Sequence, residues 1–415
     1  MTARSPEMDA FVEEARAISI EAAFERCGFS LSTLRRASHE YVGPCPRCGG
    51  KDRFQLNPSK NVFLCRQGGA GGDGIALVEY LTGESFLDAC ETLLGRDRPG
   101  PAKSAEELRD SAARRREAEA RNAAARAESE ERAARQADES AHYRRRELER
   151  CLDIWAEGRP FPGSQAERYL ALRGLDPSRI DPAFLRCAAD LPFWGRDAGG
   201  RNAQLHRGPA MLALFVRPDG GSAKIIGIHQ TWIDLDVPGK GRPTITDPQN
   251  AGETLPSKKM RGSKAGGLIP LVGRLSSARR MVAGEGIETV LGFGQREGFP
   301  EGTFYCAAGD LGNLCGKATK DSRIRHPQKV NIGKGGRRLP VFVPGEAPDL
   351  DSVAMPVPDH VDELVLLGDG DSDAVMTRAA MKRGARRHAR DGRTVRVEMA
   401  PAGMDFAEMA QGVAA

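Results

Sequence analysis

The 415-residue chain has no apolar run approaching the roughly 18 residues that a membrane-spanning helix needs. Its N-terminus, MTARSPEMDAFVEEARAI, also lacks the apolar core of a secretory signal. Together these absences predict a cytoplasmic protein with no membrane partner. Net charge is nearly missing too, because 61 Lys and Arg stand against 57 Asp and Glu. Bulk charge therefore does not announce a nucleic-acid binder, and any basic surface has to be local. Nine cysteines, an odd number and mostly scattered, do not form a disulfide framework. A nucleotide-binding phosphate loop is absent as well. The nearest approach, GDLGNLCGKAT from Gly309, has the wrong spacing for G-x-x-x-x-G-K-[ST].

What is present is a pair of acidic motifs, each closing an apolar run. RMVAGEGIET places Glu285 and Glu288 after one run, and ELVLLGDGDSDA places Asp369, Asp371 and Asp373 after the other. Both runs suit buried strands that stop at a glycine. If the strands are neighbours in a parallel sheet, the carboxylates meet at its C-terminal edge, where open α/β sheets bind ligands. Such a cluster repels itself unless a divalent cation sits within it, and hard oxygen donors suit Mg²⁺ together with substrate phosphates. The chemistry implied is phosphoryl or nucleotidyl transfer.

The length implies roughly two to four domains. Apolar positions Phe11, Ala15, Ile18, Ala22 and Leu34 recur near a helical period, so residues 8–37 are expected to be helical. Glycine and cysteine then become frequent, with strand-like runs at 53–56 and 62–65, and an amphipathic helix should start at Asp73. Residues 103–158 are rich in Ala, Arg and Glu, which favours a long solvated helix held by i,i+4 charge pairs. Ser164 caps a short helix, strand-like runs follow at 210–216 and 223–233, and 234–267 reads as a basic loop. Further strands are expected near 279–283, 303–307, 363–368 and 393–399, with helices near 286–296 and 373–390. The segments expected are a helical start (1–40), a ribbon (41–100), a charged linker (101–160), a subdomain (161–275) and a mostly parallel α/β sheet (276–410). Residues 317–358 form a surface insertion.

In GPCPRCGGKDRF, Cys45 and Cys48 have the spacing of a zinc knuckle, and Cys65 ends a strand where a ribbon places its second knuckle. Gly68 then stands where a fourth cysteine belongs. His39, Asp73, Cys90 and water remain open as the fourth ligand, and a metal-free ribbon is the alternative.

Taken together these stretches resemble primases of the DnaG and Toprim superfamily, in the phage and plasmid branch. CPRCGGKDRF with GGAGGDGIALVEYLTG resembles the zinc ribbon. GIHQTWID and SKKMRG resemble the subdomain ahead of the catalytic sheet, and GEGIET, GDGDSDA and PAGMDF resemble the Toprim motifs. The resemblance implies RNA primer synthesis on single-stranded DNA from ribonucleoside triphosphates, with a separate replicative helicase as partner. It assigns Glu285, Asp369 and Asp371 as catalytic residues holding Mg²⁺ or Mn²⁺. Asp373 adds a further metal carboxylate, and Asp405 has an auxiliary role. Lys258, Lys259 and Lys264 would meet phosphates. Lys51, Arg53, Phe54, Phe63 and Arg66 of the ribbon would meet template. A Toprim nuclease would use the same acids, and a non-catalytic DNA-binding replication protein of a mobile element is the third reading. Only five tyrosines and no evident strand-passage domain speak against a topoisomerase.

Several residues also have simpler readings. Glu288 suits the first turn of a helix through the dipole alone. His229 and Trp232 lie on an apolar run and read as packing. Arg383, Arg386, Arg387 and Arg390 read as a solvated helix face.

Overall fold

The computed structural model describes residues 5–411 except Ser38, 101–103 and 220–221, so the outermost residues of the expected helical start and of the linker lie outside it. The chain divides into two compact units, Met1–His142 and Tyr143–Ala415. Among the described residues no helix is long and apolar enough to cross a membrane.

In the first unit the expected helix over 8–37 is in fact two short helices, Pro6–Arg16 and Ile20–Arg26. Ser19 restarts the chain by accepting a hydrogen bond from the backbone N–H of Ala22, the usual work of an N-cap. Gly28 then turns the chain at φ +83°, and Arg35–Ala37 opens a five-stranded antiparallel sheet. In its strand Gly49–Asn57, Phe54 and Leu56 point inward while Arg53 and Gln55 are more exposed, the two-residue alternation of a half-buried strand. Helix Gly74–Thr82 packs against the sheet, and helix Phe86–Leu94 packs on that helix and on Pro6–Arg16. Gly74–Thr82 starts after Asp73 as expected, and Asp73 caps it by accepting from the N–H of Ala76.

The charged stretch is one helix, Ala105–Glu157. The i,i+4 contacts Arg132–Glu128 and Arg135–Glu131 lie on it.

The second unit holds two five-stranded sheets. The first consists of Lys258–Gly262, Ser222–Trp232, Asn202–Asp219, Leu185–Arg196 and Arg159–Pro160 in that order. Here the basic "loop" is corrected: KKMRG is an edge strand, antiparallel to Gly227–Thr231. Its charged composition hid a strand whose pairing comes from a neighbour, not from its own propensity.

The second sheet runs Ile269–Val272, Thr303–Ala307, Arg280–Gly284, Glu363–Gly368, Thr394–Met399. All but the first edge strand are parallel. Met281–Ala283 and Leu364–Leu367 are at most 1% exposed, as expected of parallel strands covered by helices on both faces. Each fully buried Leu, Val or Met contributes about 1.5–3 kcal/mol. The chain leaves Arg280–Gly284 for the strand on one side and later returns on the other. That strand is the switch point where such sheets bind ligands. One hydrophobic cluster draws on residues from Phe161 to Ala410, including Val282, Val365 and Leu367, and a second gathers Met281, Ala283, Leu364 and Leu366.

The insertion is more ordered than a surface loop. It contains a hairpin, Ile324–Ile332 with Arg338–Val343. The arginines expected to be solvated hold it in place. Arg383 is buried and donates to the carbonyls of Gly316 and Gly345, Arg387 donates to that of Asp349, and Arg386 pairs with Glu346.

Candidate functional site

Arg280–Gly284 and Glu363–Gly368 are adjacent and in register, with Ala283 opposite Leu366. Glu285 and Asp369 therefore leave the same sheet edge from neighbouring strands. Gly370 is required between the two aspartates, because a Cβ there would lie 1.9 Å from the carbonyl oxygen of Pro401. That close passage brings the loop before Asp405 against the acidic motif.

The electrostatics show which acids share the site. Burial, together with Asp371, Asp405 and Glu285, raises the Asp369 carboxyl to about 7, against the hydroxyl of Thr289, which donates at 3.0 Å. Burial also raises Glu285, followed by repulsion from Asp310, while Lys258 and Lys264 oppose the shift. Lys264 is paired with Asp310. Among the described residues no three carboxylates lie within 4.8 Å of one another. The acids face one region without closing around it.

Asp373 is used otherwise. Its carboxylate caps Ala374–His388 through the N–H groups of Val375 and Met376, and binds Lys329 at 2.5 Å and His326 at 3.0 Å. Asp405 caps Phe406–Gln411 by accepting from the N–H of Glu408 at 2.7 Å. It also lies 3.7 Å from the guanidinium of Arg173.

Glu288, only three residues beyond Glu285, has a different fate. It is 4% exposed and accepts from Tyr169 at 2.7 Å, Arg242 at 2.9 Å and Lys258 at 2.9 Å. Burial opposes its charge, but Lys258 and Arg242 outweigh that effect and hold the carboxyl well below its usual range. Lys258 also lines a small recess with Glu285, Gly309 and His229. His229, expected only to pack, thus faces the site, and burial pushes it down to about 3, so its ring is neutral. Trp232 packs as expected, donating to the Leu191 carbonyl at 2.9 Å.

Strand alternation separates the two lysines. Lys259 points away from Lys258, over the Phe193 ring and onto the Trp194 carbonyl. Arg173, Arg242 and Tyr169 were not singled out from sequence. Arg173 is 2% exposed, and its Nε and Nη1 have no hydrogen-bond partner among the described residues.

In the ribbon, the sulfurs of Cys45, Cys48 and Cys65 lie within 4.8 Å of one another. The N–H of Arg47 points to Cys45 Sγ at 3.4 Å and that of Gly68 to Cys65 Sγ at 3.3 Å. N–H groups directed at sulfur stabilise thiolate, the form that binds metal. Burial works against ionisation of Cys65, yet hydrogen bonds from the Tyr80 hydroxyl and the Gly68 N–H leave it below its ordinary value. Three gathered thiols with such donors fit Zn²⁺. The expected base-stacking role of Phe54 and Phe63 is not available, because both are buried, Phe54 against Phe24 and Phe63 against Tyr80. Lys51 and Arg66 are exposed, and Arg53 is half-buried.

Comparison with known proteins agrees with the ribbon. Residues 30–99 match the CHC2 zinc finger of DnaG, and residues 145–271 match a domain of unknown function, DUF7146. A DNA primase from Halalkalibacterium halodurans is 34% identical over 64 residues, which are 15% of this chain and 11% of that relative. The chain thus matches about a tenth of that primase's length. Among solved structures, the Aquifex aeolicus primase (zinc-binding and RNA polymerase domains) is 16% identical at TM-score 0.34, covering 97% of this chain and 82% of that one. A DNA primase domain from Pseudomonas aeruginosa is 17% identical at TM-score 0.32, covering 60% and 68%. The ribbon is thus of the DnaG zinc-finger type, set in a mixed α/β chain.

Proposed function

We propose that the chain is a DnaG-type primase of the phage or plasmid branch, with a Toprim catalytic sheet at residues 276–410. It would make short RNA primers on single-stranded DNA from ribonucleoside triphosphates and work with a separate helicase. The observation that carries this reading is the meeting of Glu285, Asp369 and Asp371 at one sheet edge beside Lys258 and Lys264. In this reading the three acids hold Mg²⁺ or Mn²⁺, which would offset charge developing on the attacking 3′-oxygen and the pyrophosphate. Asp405 assists, while Asp373 serves as the cap that fixes the following helix. Lys258 and Lys264 offer donors to triphosphate oxygens. The ribbon, with Lys51, Arg53 and Arg66, is assigned to template.

The test is incubation with single-stranded DNA, ribonucleotides and Mg²⁺ or Mn²⁺. Labelled oligoribonucleotides that disappear in an Asp369→Ala, Asp371→Ala variant are the expected result. Shortened template without new product would replace the reading with a Toprim nuclease.

A further inference from the structure

Gly68 removes the fourth cysteine of the ribbon, yet its corner is not left open. A Cβ built on Gly68 would lie 2.4 Å from the Tyr80 hydroxyl and 3.2 Å from Cys65 Sγ. The hydroxyl itself is 3.4 Å from Cys45 Sγ. It therefore occupies the space that a side chain at position 68 would enter. Arg47 fixes it there: its guanidinium lies 4.8 Å from the Tyr80 ring centre and donates to the Tyr80 carbonyl at 3.2 Å. The other candidates are placed differently. Asp73 is the cap of its own helix, Cys90 is in the core, and His39 is exposed.

We propose that the Tyr80 phenol oxygen is the fourth zinc ligand of this ribbon, in the place that Gly68 vacates. A tetrahedral ion with about 2.3 Å bonds to sulfur and 2.0 Å to oxygen spaces those donors roughly 3.5 Å apart. The observed contact matches that spacing. The ion would draw the phenol proton away as it does a thiol's.

Zinc titration of the full chain tests this, read by chelator competition and ultraviolet difference absorption. Wild type should gain tyrosinate absorption as one zinc binds. Tyr80→Phe should lose that signal and weaken zinc by more than the roughly 10–100-fold that removing a group merely hydrogen-bonded to a ligand costs. Tyr80→Phe with Gly68→Cys should regain tight binding, because φ at Gly68 is not left-handed and the 2.4 Å contact with the hydroxyl is removed. Equal zinc affinity in wild type and Tyr80→Phe, or no rescue by the added cysteine, would overturn the assignment.

A different observation carries a second inference. Residues 322–345 contain six Lys and Arg and no Asp or Glu. Their hairpin is anchored at its base by His326 and Lys329 on Asp373, but Arg325, Arg337 and Arg338 are exposed. So are Ile332 (69%) and Phe342 (54%). Cations interleaved with open apolar and aromatic side chains match the backbone charge and base faces of a single strand. We infer that this hairpin binds single-stranded nucleic acid beside the acidic cluster. The inference rests on the primase reading only for which strand arrives there.

Equilibrium binding of a labelled single-stranded oligonucleotide over a salt series tests it without any synthesis. Arg337→Ala with Arg338→Ala should lower the slope of log affinity against log salt by about 1.4. Phe342→Ala should weaken binding about fivefold or more. Asp369→Ala with Asp371→Ala should keep the wild-type slope, so failure of catalysis and failure of the hairpin are separable. Unchanged affinity and slope in the arginine variant would overturn the inference and leave an acidic protein as the hairpin's partner.

Discussion

Arg132–Glu128 in the linker helix and Arg242–Glu288 in the second unit are ion pairs of the same length, 2.9 Å. The first pair is 65% and 67% exposed, the second 19% and 5%. In the linker, water solvates both charges whether or not they touch. At Glu288 the protein must supply what water gave, and does so with Lys258, Arg242 and Tyr169 together. Distance alone therefore says little about what a charge pair contributes; the number of partners and their burial decide.

The largest effect expected from this contrast is at the hub. Glu288→Gln leaves Lys258 and Arg242 facing one another without their counter-charge, a change that costs about 3–5 kcal/mol in buried pairs. Denaturant unfolding at pH 7 checks it. The Glu288 carboxyl is held below its unfolded value, so its contribution is full above about pH 4.3 and is lost only as pH falls through the folded value. The gap between wild type and variant should therefore persist from pH 8 to pH 5 and shrink in stronger acid. A gap under 1 kcal/mol at pH 7 would mean that the hub behaves like the linker pair.

Asp369 should behave with the opposite sign. Its carboxyl is raised to about 7, so the folded state binds more protons than the unfolded state between about pH 4 and 7. Stability without metal should fall as pH rises through that window. Asp369→Asn keeps the Thr289 contact and removes the repulsion. It should stabilise the metal-free protein at pH 7.5 by on the order of 2 kcal/mol, after allowance for solvent screening. At pH 4 the difference should close. Thermal melts at both values read it directly, and a variant less stable than wild type at pH 7.5 would show that the cluster is not under charge strain.

Bound metal sharpens the same point. Below pH 7 an incoming Mn²⁺ must displace the Asp369 proton, so affinity should rise up to about tenfold per pH unit and level off above 7. Mn²⁺ titration followed by electron spin resonance measures this. The slope should be shallower in Asp369→Asn, where only the raised carboxyl of Glu285 is left to lose a proton.

These contrasts were unevenly legible in the sequence. The apolar runs before Glu285 and Asp369 announced buried strands, because continuous burial on both faces leaves a compositional mark, while their adjacency is seen only in the pairing of the sheet. The linker helix was readable for the opposite reason, since its charge pairs repeat within one turn. The hub was not, because Tyr169 and Arg242 reach Glu288 from 119 and 46 residues away and no local spacing records such a contact. Glu285 and Glu288 show the limit most clearly: one motif and one residue type, yet one faces the recess and the other is consumed in holding the fold. Lys258–Gly262 was missed because an edge strand borrows its order from its neighbour. Arg383 and Arg387 looked solvated because the insertion that buries them shows no period of its own.

The smallest effect belongs to the linker. Glu128→Gln removes the charge from the pair with Arg132 but leaves a residue of similar helix propensity. An exposed i,i+4 pair contributes about 0.3–0.5 kcal/mol and is screened by salt. Arg132 is the later residue of the pair, the favourable orientation in a helix, so the loss should be measurable at low ionic strength and vanish near 1 M salt. Helix content of the full chain by circular dichroism, compared at both salts, is the readout. The Glu288→Gln gap should survive the same salt change, because buried partners are screened far less. If both gaps closed together in salt, the hub would be electrostatically exposed, and the equal 2.9 Å distances would mean equal contributions after all.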